Sequence, residues 1–455
     1  VLPFCIALSS TGRLSSAGPD AGWAALQQAL WLQAAGLVGA WPLLCPPAAG
    51  AEDGNGVRHL QALAWLQAAM SRSMATLGPM PAASDLPAYR EWIERADLAW
   101  VEIARSPECL AALRVLTEAA LDACERTGLS LPGAASGAAR GCTTGQVVDW
   151  PGGHRLHHYA PHAPARGLPP VLVSYALVNR PWVVDLEPGR SLLQQLLEQG
   201  LEVYLLEWTD PLPADRQRDL EHYLDAGIRA SVAAVTERSG RKPCLLGICQ
   251  GGTLALSHAA LFPETIDSLV TMVTPVDFST PDNLLGHWSR ALDEERIVQV
   301  LGNVPGAWLN LAFLALRPWR LLTQKYVEFG TRASDPQAVE TFLRMERWIF
   351  DSPDQAGAAF AQFCRVFYRE NRLVSGGLIM LGRVVDPGRI RCPVLNIFGS
   401  EDHLVPPAAS RPLGSLLVAA TYEELEVPTG HIGMYVSRAA REVPEKIAAW
   451  LATGR

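Results

Sequence analysis

The stretch Pro243-Cys244-Leu245-Leu246-Gly247-Ile248-Cys249-Gln250-Gly251-Gly252-Thr253-Leu254-Ala255-Leu256-Ser257 decides the fold. A short apolar run, a glycine-rich break and an apolar helical pattern follow one another, which predicts strand, sharp turn and helix. The glycines are expected to let the backbone take the strained turn and to leave room for substrate. Such a turn lifts the Cys249 sulfur to the mouth of a sheet. It also aims the backbone amide of Gln250, at the helix start, at a developing oxyanion. A thiol nucleophile makes the covalent intermediate a thioester, which keeps enough transfer potential to acylate an alcohol. Acyl transfer is therefore expected ahead of hydrolysis.

A buried structural cysteine would explain this turn taken alone, but two later stretches supply partners. Pro393-Val394-Leu395-Asn396-Ile397-Phe398-Gly399 reads as a strand and runs into Ser400-Glu401-Asp402-His403. Glu424-Leu425-Glu426-Val427 reads as another, followed by Pro428-Thr429-Gly430-His431-Ile432-Gly433. Nucleophile, acid and histidine in that chain order, each at a strand end, match the nucleophile-elbow pattern of the α/β-hydrolase fold with cysteine in place of serine. His403 competes with His431, and Glu401 with Asp402. Flanking glycines and the lack of another local task favour His431. Cys249, Asp402 and His431 are the candidate catalytic set.

At 455 residues the chain is long enough for two domains. Apolar residues at 49% and charged residues at 18% fit a soluble protein that builds a core. The net charge of −8 gives no footprint for nucleic acid. Nine cysteines, scattered without framework spacing, suit a reducing, cytoplasmic setting better than a disulfide scaffold. No C-x-x-C pair or H-E-x-x-H element points to zinc. His154, His157, His158 and His162 crowd one region, but no acidic or thiol partner is arranged near them in sequence, so no metal site is expected. The chain opens on Val1, as a fragment or the product of a non-standard start codon would. Residues 22–45 are rich in Ala, Leu and Trp, yet Gln27, Gln28 and Gln33 interrupt them and Pro42 ends them. A surface-seeking or partner-packing helix is expected there rather than a transmembrane span, and no basic segment precedes it to make a secretory signal.

Residues 1–128 read as helical. Leu30-Trp31-Leu32-Gln33-Ala34-Ala35 is echoed by Ala64-Trp65-Leu66-Gln67-Ala68-Ala69, which suggests two helices with similar apolar faces. Over Tyr89–Arg105, helical spacing places Trp92, Ala96, Ala99, Trp100 and Ile103 on one side. Ser106-Pro107 reads as N-cap and first residue of a further helix, with Leu110, Leu113, Leu116, Ala120, Leu121 and Cys124 inward and Gly128 closing it. Residues 129–144 read as a linker, and Gln146–Tyr159 as a hairpin turning at Pro151-Gly152-Gly153. The α/β pattern then begins: strands at Val171–Tyr175, Val203–Leu206, Cys244–Leu246 and Ser268–Val273, with a helix over Arg190–Gln199. About 275–375 the pattern turns helical and aromatic, with Trp288, Trp308, Phe313, Trp319, Trp348, Phe350 and Phe367. An insertion at this place is expected to form a cap that excludes water from the thioester and receives apolar acyl chains. A plain helical core is the simpler account of the same aromatics.

Over residues 145–455 the sequence resembles the polyhydroxyalkanoate synthases, in particular the class III catalytic subunit. The resemblance rests on Tyr175-Ala176-Leu177-Val178-Asn179-Arg180-Pro181, Asp185-Leu186 with Arg190-Ser191-Leu192, Gly247-Ile248-Cys249-Gln250-Gly251-Gly252, Leu322-Thr323-Gln324-Lys325-Tyr326, Trp348-Ile349-Phe350-Asp351-Ser352-Pro353-Asp354-Gln355, Asp402-His403-Leu404-Val405-Pro406-Pro407 and Gly430-His431-Ile432-Gly433-Met434-Tyr435-Val436. It implies polymerisation of 3-hydroxyacyl-CoA, commonly 3-hydroxybutyryl-CoA, into storage polyester with release of CoA, and no cofactor beyond that thioester substrate. It further implies a homodimer, an accessory synthase subunit, and a cytoplasmic enzyme at the polyester granule. The backbone amide of Val178, in the loop after an earlier strand, would join that of Gln250 in the oxyanion hole. Asp402 would either orient His431 or itself deprotonate the attacking 3-hydroxyl. The chain departs from the family at Glu207-Trp208-Thr209-Asp210-Pro211, where Asp-Trp-Gly-Tyr-Pro is usual, and in its longer helical N-terminus. Arg95–Arg126 resembles the helical part of the accessory subunit, as a fusion supplying that partner in cis would. A cysteine-nucleophile hydrolase, depolymerase or thioesterase is the alternative enzyme, and a non-catalytic granule-binding protein the alternative of another class.

Overall fold

The computed structural model describes residues 54–82, 85–127, 141–330, 332 and 334–453. The first copy of the echoed helical segment, Gly128 and most of the expected linker lie outside them. The chain divides into two compact units, Val1–Ala123 with Arg317–Val339, and Cys124–Leu316 with Glu340–Arg455.

The larger unit is built on an eight-stranded sheet. Its strands are β1 (Gln146–Asp149), β2 (Arg155–Tyr159), β3 (Val171–Ser174), β4 (Val203–Glu207), β5 (Cys244–Ile248), β6 (Ser268–Met272), β7 (Val394–Gly399) and β8 (Tyr422–Val427). They lie in the order β1-β2-β4-β3-β5-β6-β7-β8. From β4 to β8 every neighbour pair is parallel, whereas β1–β2 and β2–β4 are antiparallel. Every residue of β3, β5, β6 and β7 is buried, as a parallel sheet covered on both faces demands. The outer strands β1 and β8 carry the exposed positions. Parallel strands end on one side, so the loops after β3, β5, β7 and β8 gather there.

The expected hairpin is present, with Pro151–Gly153 as its turn. Two of its histidines have acidic partners that the neighbouring sequence does not show. His157 Nε2 lies 2.5 Å from a Glu207 carboxylate oxygen, and His158 Nε2 lies 2.9 Å from Glu202. Glu207 ends β4 and Glu202 immediately precedes it, and β4 is the spatial neighbour of β2, so local sequence could not reveal these acids. His154 is fully buried instead, edge-on to Trp208 and stacked on Tyr223. Glu207, one of the departures from the family pattern, also accepts from Arg155 at 2.7 Å.

Between β6 and β7 the chain forms the expected run of helices, among them Leu284–Ala291, Glu294–Leu301, Gly306–Ala315, Pro336–Phe350 and Gly357–Phe363. Asn283 and Asp293 cap the first two through the amides of Gly286 and Arg296, at 3.0 and 2.9 Å. Part of the aromatic content is ordinary core: Phe278 packs on Phe363 and Phe367. Residues 317–339, within the span assigned to the cap, group with the N-terminal helices.

The smaller unit contains α1 (Gly54–Leu77), α2 (Leu86–Ala104) and α3 (Pro107–Thr127). Ser106 caps α3 as its sequence predicts, its hydroxyl accepting from Cys109 N at 3.2 Å. The inward stripe of α3 begins at Cys109 and Ala112 rather than at Leu110 and Leu113, which are half-buried. Cys109, Ala112 and Leu116 pack on Ala62 and Leu66 of α1.

Candidate active site

Strand β5 delivers the chain to Cys249, whose φ of 54° and ψ of −122° place a non-glycine residue in a costly backbone region. The glycines around it serve differently from the sequence-based expectation. Cys249 itself takes the left-handed turn, while Gly251 and Gly252 allow close approach. A Cβ on Gly251 would lie 2.3 Å from the carbonyl oxygen of Ser174 and 2.5 Å from that of Tyr175. One on Gly252 would lie 1.9 Å from Thr274 Oγ1. The helix Gln250–Leu261 therefore starts hard against the end of β3, from which the loop through Val178 departs.

Asp402 and His431 meet as their placement at strand ends predicts. Oδ2 of Asp402 lies 2.7 Å from Nδ1 of His431, and its Oδ1 accepts the backbone amides of Leu404 and Val405 at 2.9 and 2.8 Å. His431 in turn is in hydrogen-bonding reach of Cys249. All three residues are buried. The competitors lie elsewhere: Glu401 is exposed and His403 half-buried. Burial would by itself lower the His431 pKa, but the charges of Asp402 and Cys249 and the hydrogen bonds to both outweigh it and raise it to about 10. The amides of Gln250 and Val178 donate to no other backbone carbonyl among the described residues. That leaves them available to an incoming oxyanion.

Sequence reasoning did not single out two tyrosines. Tyr435 stands one helical turn after His431, its ring centroid 6.4 Å from the imidazole and 6.3 Å from Trp348. Burial, then the charges of Cys249 and Asp402, push its hydroxyl pKa well above the usual value. Tyr368 is pushed up by burial and by Cys249. The spacing from His431 to Tyr435 was a usable signal for the first, but nothing local marks the second.

Next to this region the buried Arg180 meets two partly exposed carboxylates, Asp210 and Asp351. Arg180 pairs with Asp210, and its Nε lies 3.4 Å from Asp351 Oδ1. The segment that follows Asp351 is tied down at several points. Ser352 Oγ contacts Asn310 Oδ1 at 2.7 Å, Gly306 N donates to Asp354 at 3.0 Å, and Gln355 exchanges both backbone bonds with Val304 at 2.9 Å. Gln355 Nε2 donates to Gln250 Oε1 at 3.4 Å, so this segment passes beside Cys249. Among the described residues no group of three His, Cys, Asp or Glu side chains is placed to hold a metal, and no helix is long and apolar enough to cross a membrane.

A mostly parallel sheet, a strained thiol after its middle strand and a carboxylate–imidazole pair after its last two define an α/β hydrolase. The family model described as alpha/beta hydrolase fold matches residues 169–437. The chain is 50% identical over 284 residues to the poly(3-hydroxyalkanoate) polymerase subunit PhaC of Allochromatium vinosum, covering 62% of this chain and 80% of that one. It is 46% identical over 291 residues to the same subunit of Synechocystis, covering 62% and 77%. A thermophilic esterase from Thermogutta terrifontis aligns with a TM-score of 0.42 and 15% identity, over 69% of this chain and 99% of that one. Within the α/β hydrolases, the chain belongs to the poly(3-hydroxyalkanoate) polymerase family, whose members are acyltransferase-type enzymes.

Proposed function

We propose that this chain polymerises 3-hydroxyacyl-CoA, with short acyl groups such as 3-hydroxybutyryl, into polyester and releases CoA, by way of a thioester on Cys249. The observation that carries the reading is the buried Cys249–His431–Asp402 relay in a chain of this family. His431, whose raised pKa favours the protonated ring, keeps the Cys249 proton as sulfur attacks the acyl-CoA carbonyl, and the amides of Gln250 and Val178 receive the oxyanion. The tetrahedral intermediate collapses, the carbon–sulfur bond to CoA breaks, and His431 returns the proton to the departing thiolate. The 3-hydroxyl of the next unit then gives its proton to His431 and attacks the enzyme thioester. With both oxygens of Asp402 already engaged, orientation of His431 suits this carboxylate better than acting as the base itself. The CoA thioester is the substrate, and no cofactor is needed. The enzyme would work as a homodimer in the cytoplasm at the surface of a polyester granule, its N-terminal helices standing in for a separate accessory subunit.

Incubating the purified chain with 3-hydroxybutyryl-CoA, and following CoA release and turbidity together, tests this. Both signals are expected, with both absent in Cys249→Ala. CoA release without turbidity, with free hydroxy acid as product, would make the chain a hydrolase instead.

A further inference from the structure

A helix start in the smaller unit is finished by a residue from far away in the sequence. After Arg317 the chain enters a helical run, with Pro318 at its first position, through the π-type turn Arg320–Gln324 and into Lys325–Gly330. The Leu321 amide donates to the Arg317 carbonyl at 2.9 Å, which makes Arg317 the N-cap position. An arginine side chain has no acceptor with which to satisfy the free amides of the first turn. Asp97, in the middle of α2, supplies it. Its Oδ1 accepts from Trp319 N and its Oδ2 from Arg320 N, each at 3.1 Å. Those are the two amides that a local capping side chain would serve.

Asp97 is 2% exposed, and burying a carboxylate is costly unless it is bonded in return. Further contacts point the same way. Trp92 meets Trp319 edge-on at 6.1 Å, and Arg90 Nε pairs with Glu328 at 2.7 Å. Residues 86–104 thus carry a built surface for residues 317–330, and the chain continues from there into the helix Pro336–Phe350 and the segment Asp351–Gln355 beside Gln250.

We propose that Asp97 is a positioning residue for acyl transfer: by lending segment 318–330 the N-cap it lacks, the N-terminal helices hold the middle of the insertion so that the segment it leads into stays in place beside Cys249. This rests on the polymerase reading only for its kinetic readout. It gives the N-terminal helices a specific task, and it makes that task transferable to the segment itself.

The test uses the full chain and three variants: Asp97→Ala, Asp97→Asn, and Asp97→Ala combined with Arg317→Asp, which places a capping carboxylate at the N-cap itself. Three quantities are read for each: amide exchange over 318–330 and 340–355, alkylation of Cys249 by iodoacetamide followed by peptide mass spectrometry, and kcat and KM for CoA release. Asp97→Ala is expected to speed exchange in both segments, to change the alkylation rate and to lower kcat/KM by about tenfold, within the usual range of coupling between sites. The thermal midpoint of the larger unit should hold. Asp97→Asn, which keeps one acceptor, should fall between, and Arg317→Asp should restore the values. Faster exchange confined to 318–330, with unchanged alkylation and kinetics, would reduce Asp97 to a local structural role and overturn the proposal. Failure of Arg317→Asp to restore an impaired Asp97→Ala chain would overturn it too. If the wild type released no CoA, the polymerase reading alone would fall, because exchange and alkylation still report on Asp97.

Discussion

Asp402 holds His431 with one oxygen, at 2.7 Å, and two backbone amides with the other. The carboxylate is thereby locked in place, and through Nδ1 it dictates which imidazole nitrogen faces the sulfur. Asp402→Asn keeps the shape but offers an amide where an acceptor is needed. Turnover in that variant is expected to fall about 10⁴-fold, as for the corresponding change in serine triads. Single-turnover acylation of Cys249, compared with wild type, measures it.

The raised pKa of His431 has a sign that can be checked. Its value in the fold, about 10, lies above that of a free imidazole, so the folded state binds the proton more tightly. The stabilisation is complete below about pH 6.5 and is lost as pH rises through the folded value. Urea denaturation of wild type and His431→Gln should therefore show a stability gap that is largest near pH 6 and narrows steadily toward pH 10. A gap that widened over that range would contradict the assignment.

Gly251 tolerates no side chain for a reason of space. A Cβ 2.3 Å from one backbone carbonyl oxygen and 2.5 Å from the next meets atoms that cannot swing aside. Gly251→Ala is expected to destabilise the larger unit by about 1–3 kcal/mol or more, the range for overpacking. The shift in denaturation midpoint gives the figure.

Arg180 answers two carboxylates from a buried position, and losing it would strand Asp351. Arg180→Met should cost about 3–5 kcal/mol, the usual penalty for breaking a buried pair from one side. Adding Asp351→Asn should recover part of that loss, which a double-mutant cycle would resolve.

Much of this was legible in the chain itself. The buried strands announce themselves as unbroken apolar runs, and all appear within a residue or two of their expected limits. The catalytic candidates were readable because each sits where a strand stops, a feature that local pattern captures. What escaped was carried by partners distant in sequence. Asp97 stands on the inward face of α2, where periodicity alone assigns an apolar residue, and its reason is a helix start more than two hundred positions away. His157 and His158 looked unpartnered because their glutamates lie at the end of β4 and just before its start. In α3 the expected stripe holds from Leu116 to Cys124, but its first turn faces α1 with small Cys109 and Ala112 rather than with Leu110 and Leu113.

The torsion at Cys249 reaches beyond reactivity. A residue forced into that region costs on the order of 1–3 kcal/mol, and glycine would occupy it with far less penalty. A chain carrying glycine there should outlast its active parent on heating while making nothing. Durability and chemistry are set against each other at one peptide unit, and screens for hardier versions of this enzyme will be drawn toward dead ones.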